Sequence, residues 1–388
     1  MKSCSCFRTS LVPRKPSVRA AIQDHFAALT DPRRREVIYP LNNVVTIALC
    51  AVLCGADDFV AIAVWGRAKK EWLATFLDLS AGIPSHDRFN AIFAALQPAE
   101  FEKCLLSWIT ALHEISDGQI VAIDGKTLRR SFDAASSKAA IHIVSAWATA
   151  NRISLGQVVV ADKSNEITAI PKLLQMLELS GCLVTIDAMG CQTQIARDIV
   201  AAKADYVLAV KDNQPTLHEG IKAFFLHAIT HGFGRIKVRR HETHERGHGR
   251  DETRVYRVCE APVDLPDRAR WTKLTAIGIT FNQTTRQGKQ TIEVRYDILS
   301  KKLTAHRFAE AVRRHWGIEN QRHWQLDVTF QEDQSRLREG HAATNFSLLR
   351  RAGLSLLKNN HTHKIGLKNK RLIAACDDDY LLQVLFNS

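Results

Sequence analysis

Residues 182–211 read CLVTIDAMGCQTQIARDIVAAKADYVLAVK. Two short apolar runs, CLVTIDA and DYVLAVK, have the length and branched-residue content of buried strands. Between them, Gln192 to Ala202 carries the spacing of a helix. Immediately upstream lie three more strand candidates, IVAID (120–124), AIHIVSAWAT (140–149) and ISLGQVVVA (153–161), followed by a helical stretch from Ile167 to Leu179. Three strands in succession, then helix, strand, helix, strand, predict an α/β fold built on a mixed sheet.

The rest of the chain is arranged around this centre. Residues 1–20 lack periodicity and read as a loose tail. Residues 21–115 are helical throughout: LNNVVTIALCAVLCGA (41–56) is a buried helix, Phe59 to Leu79 has helical spacing, GIPSHDRFNAIFAAL (82–96) starts a helix at Ser85, and a last one covers Ala99 to Ile115. This is an N-terminal all-helical domain with a helix-turn-helix look. Pro215 opens a helix over Thr216 to Ile229. Residues 232–300 then turn to strands again, with RIKVRR, ETRVYRV, KLTAIGITF and TIEVRYDIL, and read as a β-rich insertion. Helical periodicity returns from Leu303 to about Leu326 and again in FSLLRRAGLSLLK (346–358), leaving 359–388 as a C-terminal tail. The α/β core is thus expected in two pieces, 116–231 and 301–358.

Charge narrows the function. With 53 Lys and Arg against 40 Asp and Glu, the formal charge of +13 favours a polyanionic partner. The nine cysteines include no C-x-x-C pair, which argues against a zinc ribbon or a disulfide framework and fits a reducing cytoplasm. The first residues, MKSCSCFRTSLVPRKP, lack the apolar stretch of a secretory signal. The most apolar run, Val44 to Ala56, is too short to span a bilayer.

Asp124 closes the strand IVAID, and Asp187 closes CLVTID. Carboxylates at strand ends reach solvent while remaining rigidly held, and functional groups of α/β sheets gather there. A third group comes from RRHWGIENQRHWQLDVTFQED (313–333): Glu319 has His315 one helical turn before it, His323 one turn after it, and Asp327 one turn further, forming a polar stripe between Trp316 and Trp324. On pattern alone Glu319 competes with Asp327, Glu332 and Asp333. Three carboxylates from two strands and a helix suit two Mg²⁺ ions, hard cations that take oxygen ligands and serve phosphodiester chemistry.

These motifs resemble the DDE-type insertion-sequence transposases, in particular the H-repeat-associated group. The resemblance runs from about Phe26 to Lys358. It rests on DPR (31–33), GIPSHDRF (82–89), VAIDGKTLRRS, TIDAMGCQ, YVLAVKDNQP, ERGHGRDETR and HWGIENQRHWQLDVTFQED. It implies a ribonuclease H-like core with a β insertion before the last catalytic helix, and a catalytic, metal-binding triad of Asp124, Asp187 and Glu319. His315, His323 and Asp327 become supporting groups around that triad. Where relatives carry Tyr, Arg and Lys around the Glu, this chain has Val312, His315 and Leu326. The resemblance further implies two Mg²⁺ ions, with Mn²⁺ as substitute, and double-stranded DNA as partner at both element ends and target. It also implies a homodimer in the synaptic complex and a cytoplasmic, nucleoid-associated location. Two other functions fit the same residues: a DNA-binding relative that no longer cleaves, and a structure-specific nuclease on the same fold.

Basic residues near these motifs are candidates for phosphate contacts: Lys126, Arg129 and Arg130 after the first Asp, Lys211 at the end of DYVLAVK, Arg250 in the β insertion and Arg322 beside the Glu. One motif is a decoy. His244 to His248 fits H-E-x-x-H, but zinc binding by that pattern needs a helix, whereas Gly247 and Gly249 and the strand-like flanks predict a hairpin tip.

Overall fold

A computed structural model describes residues 18–34, 37–112, 119–131, 140–150, 152–160, 165–234, 236–247, 249–318 and 323–386. Six helices come first: α1 (Val18–Phe26), α2 (Leu41–Leu53), α3 (Phe59–Ala68), α4 (Lys70–Ala74), α5 (His86–Ala95) and α6 (Pro98–Leu112). α2 is apolar on every side, and all its residues from Asn43 to Leu53 are buried, as a helix without a polar face requires. Side-chain caps fix two of the starts: Asp58 accepts from Ala61 N and Ser85 from Arg88 N. The run expected as one helix over 59–79 is broken at Lys69 into α3 and α4.

The sheet follows, with β1 (Ile120–Thr127), β2 (His142–Ala148), β3 (Ile153–Val159), α7 (Glu166–Met176), β4 (Leu183–Ile186), α8 (Thr193–Ala201), β5 (Asp205–Val210) and α9 (Pro215–Thr230). The four strands of the 232–300 region are β6 (Arg239–Gly247), β7 (Arg250–Glu260), β8 (Ala276–Arg286) and β9 (Lys289–Leu299). All nine strands form one sheet in the order β3-β2-β1-β4-β5-β9-β8-β7-β6. β1, β4 and β5 are parallel, and the other pairings are antiparallel. The half from β3 to β5 is a ribonuclease H-like mixed sheet. The added strands continue it, because β9 pairs with β5 from Val207–Leu299 to Val210–Tyr296.

Beyond Tyr296 the added strands have no partner in β5. β9 runs on to Lys289 as part of a free-standing arm, so the arm extends roughly 20 Å past the C-terminal ends of the parallel strands. His244 and Glu245 lie on β6, a strand and not a helix, while His248 lies outside the described residues.

Helix α10 (Ala305–Gly317) packs on one face of the sheet over a cluster of Leu183, Val207, Tyr256, Leu299, Phe308 and Val312. Its fit depends on Gly278 of β8, where a Cβ would lie 2.4 Å from the Phe308 ring. Of the helical stretch predicted from Leu303 to about Leu326, α10 covers Ala305–Gly317 and α11 begins at Trp324 and runs to Val328, while residues 319–322 lie outside the described residues. α12 (Ala342–Asn359) is buried from Ala342 to Lys358. It joins the two halves of the molecule, since buried Asn345 donates to Phe93 O at 2.7 Å and Leu96 O at 2.9 Å.

The segment expected as a tail is also folded. Leu367–Cys376 form α13 and Asp378–Phe386 form α14. Leu381, Val384 and Leu385 are buried, and Arg371 donates to Val52 O and to Asp57 Oδ1 at 2.8 Å. The mixed charges of this stretch hid a set of apolar residues at helical spacing. Residues 18–20, placed by sequence in the loose N-terminal tail, belong to α1. Among the described residues no helix is long and apolar enough to cross a membrane.

Replacing Gly278 by Ala should push Phe308 and α10 off the sheet, lowering unfolding free energy by about 1–3 kcal/mol. Urea denaturation will read this as a lower midpoint with an unchanged slope.

Candidate functional site

The site is set by strand register. β1 and β4 are parallel, and their last registered pair is Ile123–Ile186. The next residue on each is an aspartate, so Asp124 and Asp187 are neighbours across one strand spacing, about 4.8 Å. The same lateral row continues over β5 and β9: Ile186 pairs with Leu208, and Ala209 pairs with Asp297. Residues in one row point to one face, so Asp124, Asp187 and Asp297 all project toward α10, with only the small Ala209 between the last two.

Each aspartate is held differently. Asp124 Oδ1 accepts from Gly125 N at 2.9 Å, and its Oδ2 lies 3.7 Å from His323 Nδ1. Asp187 Oδ1 accepts from Gly190 N at 3.3 Å in the turn after β4. That turn is braced by Asn213, which donates to Ala188 O at 2.6 Å, and by Gln214, which donates to Cys191 O at 3.0 Å. Burial raises the Asp187 carboxyl above its ordinary value and the negative charge of Glu166 adds to this, while the Gly190 N–H and Lys211 oppose it.

Sequence reading missed Glu166. It stands at the N-terminal end of α7, and its Oε1 accepts from His142 Nε2 at 2.7 Å. His142 Nδ1 lies 2.8 Å from Thr127 Oγ1. Its carboxyl fills the space beside Gly125, where a Cβ would come within 2.1 Å of Oε1. The glycine after Asp124 is therefore required so that a further carboxylate can approach the strand end.

Asp297 was also missed. It is 5% exposed and its Oδ2 has no hydrogen-bond partner. Burial pushes its carboxyl up to about 7, against the pull of Arg295. It lines a cavity of about 140 Å³ together with Thr185, Asp187, Lys211, His315 and Trp316. Arg295 stacks over Trp316, 4.1 Å from the ring centroid. The alternation of β9 would have shown an acid on its inward face, but not its register with Asp187.

Of the expected supporting groups, His315 reaches β4: its Nδ1 lies 3.1 Å from Thr185 Oγ1. Burial, with the nearby Arg295 charge, lowers it to about 4, which keeps it neutral at pH 7. His323 faces Asp124, and Asp327 bonds Lys126. Glu319 and Arg322 lie outside the described residues. Among the described residues, no group of three or more His, Cys, Asp or Glu side chains is arranged to hold a metal ion.

The expected phosphate contacts divide. Lys211, Arg129, Arg130 and Arg250 are exposed. Arg129 lies 3.4 Å from Asp333, and Arg250 lies 3.3 Å from Glu252. Lys126 does not reach the surface: its side chain is 7% exposed and bonds Asp327 and Glu332. The expectation that it touches DNA is corrected by this burial. Inside, the side chain is paired with carboxylates, as a buried ionisable group requires.

Comparison with known proteins places the chain. A family described as "Transposase DDE domain" matches residues 115–356, and the domain associated with it matches residues 23–109. The chain is 36% identical to "H repeat-associated putative transposase YhhI" of Escherichia coli strain K12, over 95% of this chain and 98% of that protein. It is 40% identical to "Putative transposase YncI" of Escherichia coli O157:H7, over 94% of each. A cryo-EM structure of the piggyBac transposase synaptic complex with hairpin DNA aligns with a TM-score of 0.42 at 10% identity, covering 94% of this chain and 77% of that one. That similarity is too low to place individual residues.

The two shifted groups give opposite pH signatures. His315 titrates near 4 folded and near 6.5 unfolded, so it removes stability as pH falls from 6.5 to 4. Asp297 titrates near 7 folded and 3.8 unfolded, so it removes stability as pH rises from 4 to 7. Denaturation at a series of pH values should find His315→Asn gaining on the parent toward pH 4 and Asp297→Asn gaining on it toward pH 7. Parallel curves for either variant and the parent would refute its assignment.

Proposed function

The chain belongs to the DDE-domain transposases, and from that premise we propose that it cleaves the ends of a DNA element and transfers the freed 3′-hydroxyl to target DNA, with Asp124, Asp187 and Glu319 holding two Mg²⁺ ions. One observation carries the assignment of Glu319. The residues one turn to either side of it in sequence, His315 and His323, reach Thr185 of β4 and Asp124 of β1. These two flanking contacts, one to each of the strands that carry Asp124 and lead to Asp187, support the choice of Glu319 as the third carboxylate. Ile318 and His323, which flank the stretch, are in π-helical conformation, a distortion found mostly at functional sites.

The donor set fits a hard divalent cation. Asp124 and Asp187 are adjacent, Glu166 adds negative charge beside them, and the cation two residues away, Lys126, is committed to Asp327 and Glu332. Carboxylate oxygens are the ligands Mg²⁺ takes, and Mn²⁺ substitutes for it. Bound there, the ions supply charge stabilisation to in-line phosphodiester cleavage and transfer.

The chain's own residues do the rest. Pairing of β1 with β2 on both sides of Asp124, and the turn after β4, hold Asp124 and Asp187 in place. His315, uncharged, acts as a hydrogen-bonding wall rather than a counter-ion. Lys211 at the cavity rim attracts phosphate. The β6–β9 arm is a track for the duplex: Arg246, Arg250, Arg286 and Lys289 are exposed at its tips, roughly six phosphates from the carboxylates along one strand. Two copies are needed to join two ends, which supports a homodimer in the synaptic complex. The place of work is the nucleoid.

Asp124→Asn, Asp187→Asn and Glu319→Gln should each lower Mg²⁺-dependent end cleavage by about 10²–10³-fold or more while leaving DNA binding intact. Cleavage at the parent rate by all three would end this reading, and cut ends without joined products would favour a nuclease. Replacing Arg250, Arg286 and Lys289 together by Ala should reduce the slope of log affinity against log salt by about 2.7.

A further inference from the structure

Lys126 follows Asp124 by two residues on β1, so both side chains project from the same face. Its Nζ bonds Asp327 Oδ1, lies 2.8 Å from Glu332 Oε2 and 4.0 Å from Asp333 Oδ1. Glu332 is 1% exposed and is held from its other side, where Oε1 accepts from Ser347 Oγ of α12 at 2.7 Å. Burial opposes the charge on Glu332, but Arg351, Lys126 and Arg350 outweigh it and keep the group ionised.

The strand and the helical segment therefore meet at two rungs. Asp124 faces His323 and Lys126 bonds Asp327. Two residues of strand advance about 6.6 Å and four residues of helix about 6 Å, so the rungs match in spacing. Shifting the segment by one residue turns it by about 100° and breaks both.

We propose that Lys126 is a positioning residue: through Asp327 it fixes the register of residues 323–328 against the aspartate edge, and so holds His323 opposite Asp124. The inference rests on the metal-dependent reading above. A merely stabilising ion pair would leave the same bonds, and the two roles can be separated. Buried ion pairs are often replaceable by apolar side chains without loss of stability. In K126M/D327L the charges leave together, and Glu332 keeps Ser347 and the charges of Arg351 and Arg350.

The test uses the full chain. K126M/D327L should keep a cooperative thermal transition. Its Mn²⁺ affinity, read by electron paramagnetic resonance titration, should weaken about tenfold. Amide exchange should accelerate in residues 323–330 and not in β4 or β5. End cleavage should fall about a hundredfold, the effect of a small misplacement of a catalytic group. Should the double variant unfold, D327N keeps the shape and one hydrogen bond, and should show the same changes to a smaller degree. A folded variant with parental Mn²⁺ affinity, exchange and cleavage overturns the proposal. A parent chain that neither binds Mn²⁺ nor cuts DNA, yet shows the exchange difference, would instead overturn the metal reading and leave the register role standing.

Discussion

The parallel pairing of β1 with β4 is the constraint on which the rest of this molecule depends. Its register through Ile123–Ile186 makes Asp124 and Asp187 neighbours. A slip of one residue would turn one aspartate to the opposite face and separate the pair. The register is protected by burial. Ile120 to Ile123 and Leu183 to Ile186 are buried on both faces, so any slip would bury a polar group or expose an apolar one.

The second organising feature is the placement of charge. The chain carries a large excess of cations, yet the edge that bears Asp124, Asp187 and Asp297 is acidic. The nearest lysine is drawn inside by Asp327 and Glu332, and Arg350 and Arg351 are buried in α12 near Glu332. Exposed cations sit at the cavity rim, where Lys211 lies, after β1 at Arg129 and Arg130, and on the tips of the arm. An acidic edge favours cations, and the exposed basic groups around it favour a polyanion. The interior network has a structural consequence too: through Glu332 and Ser347 it joins the strand that bears Asp124 to the helix that unites the two halves of the molecule.

Much of the fold was legible in sequence because the core strands are short, apolar and separated by helices with clear periodicity. The order of three strands followed by alternating helices appears as read, and the decoy at His244 falls on a strand for the reason its glycines suggested. The C-terminal helices were missed because charged residues alternate with the apolar ones. Lys126 was misread because a lysine beside an aspartate at a strand end looks like a surface group. Its partners lie some two hundred residues away in the chain.

The sequence by itself determined the element types, the pair of aspartates on β1 and after β4 as candidates, and the histidine stripe, since these follow from local pattern and motif; it did not determine that β1 runs on past Asp124 to Thr127. Only the tertiary structure decided which carboxylates share a row, that Asp297 joins the row and Glu166 flanks it, and that Lys126 points inward. These are matters of strand register and long-range charge pairing. Strand pairing is set by the buried faces of segments far apart in the chain, and the direction of an ionisable side chain by which opposite charges the fold brings to it.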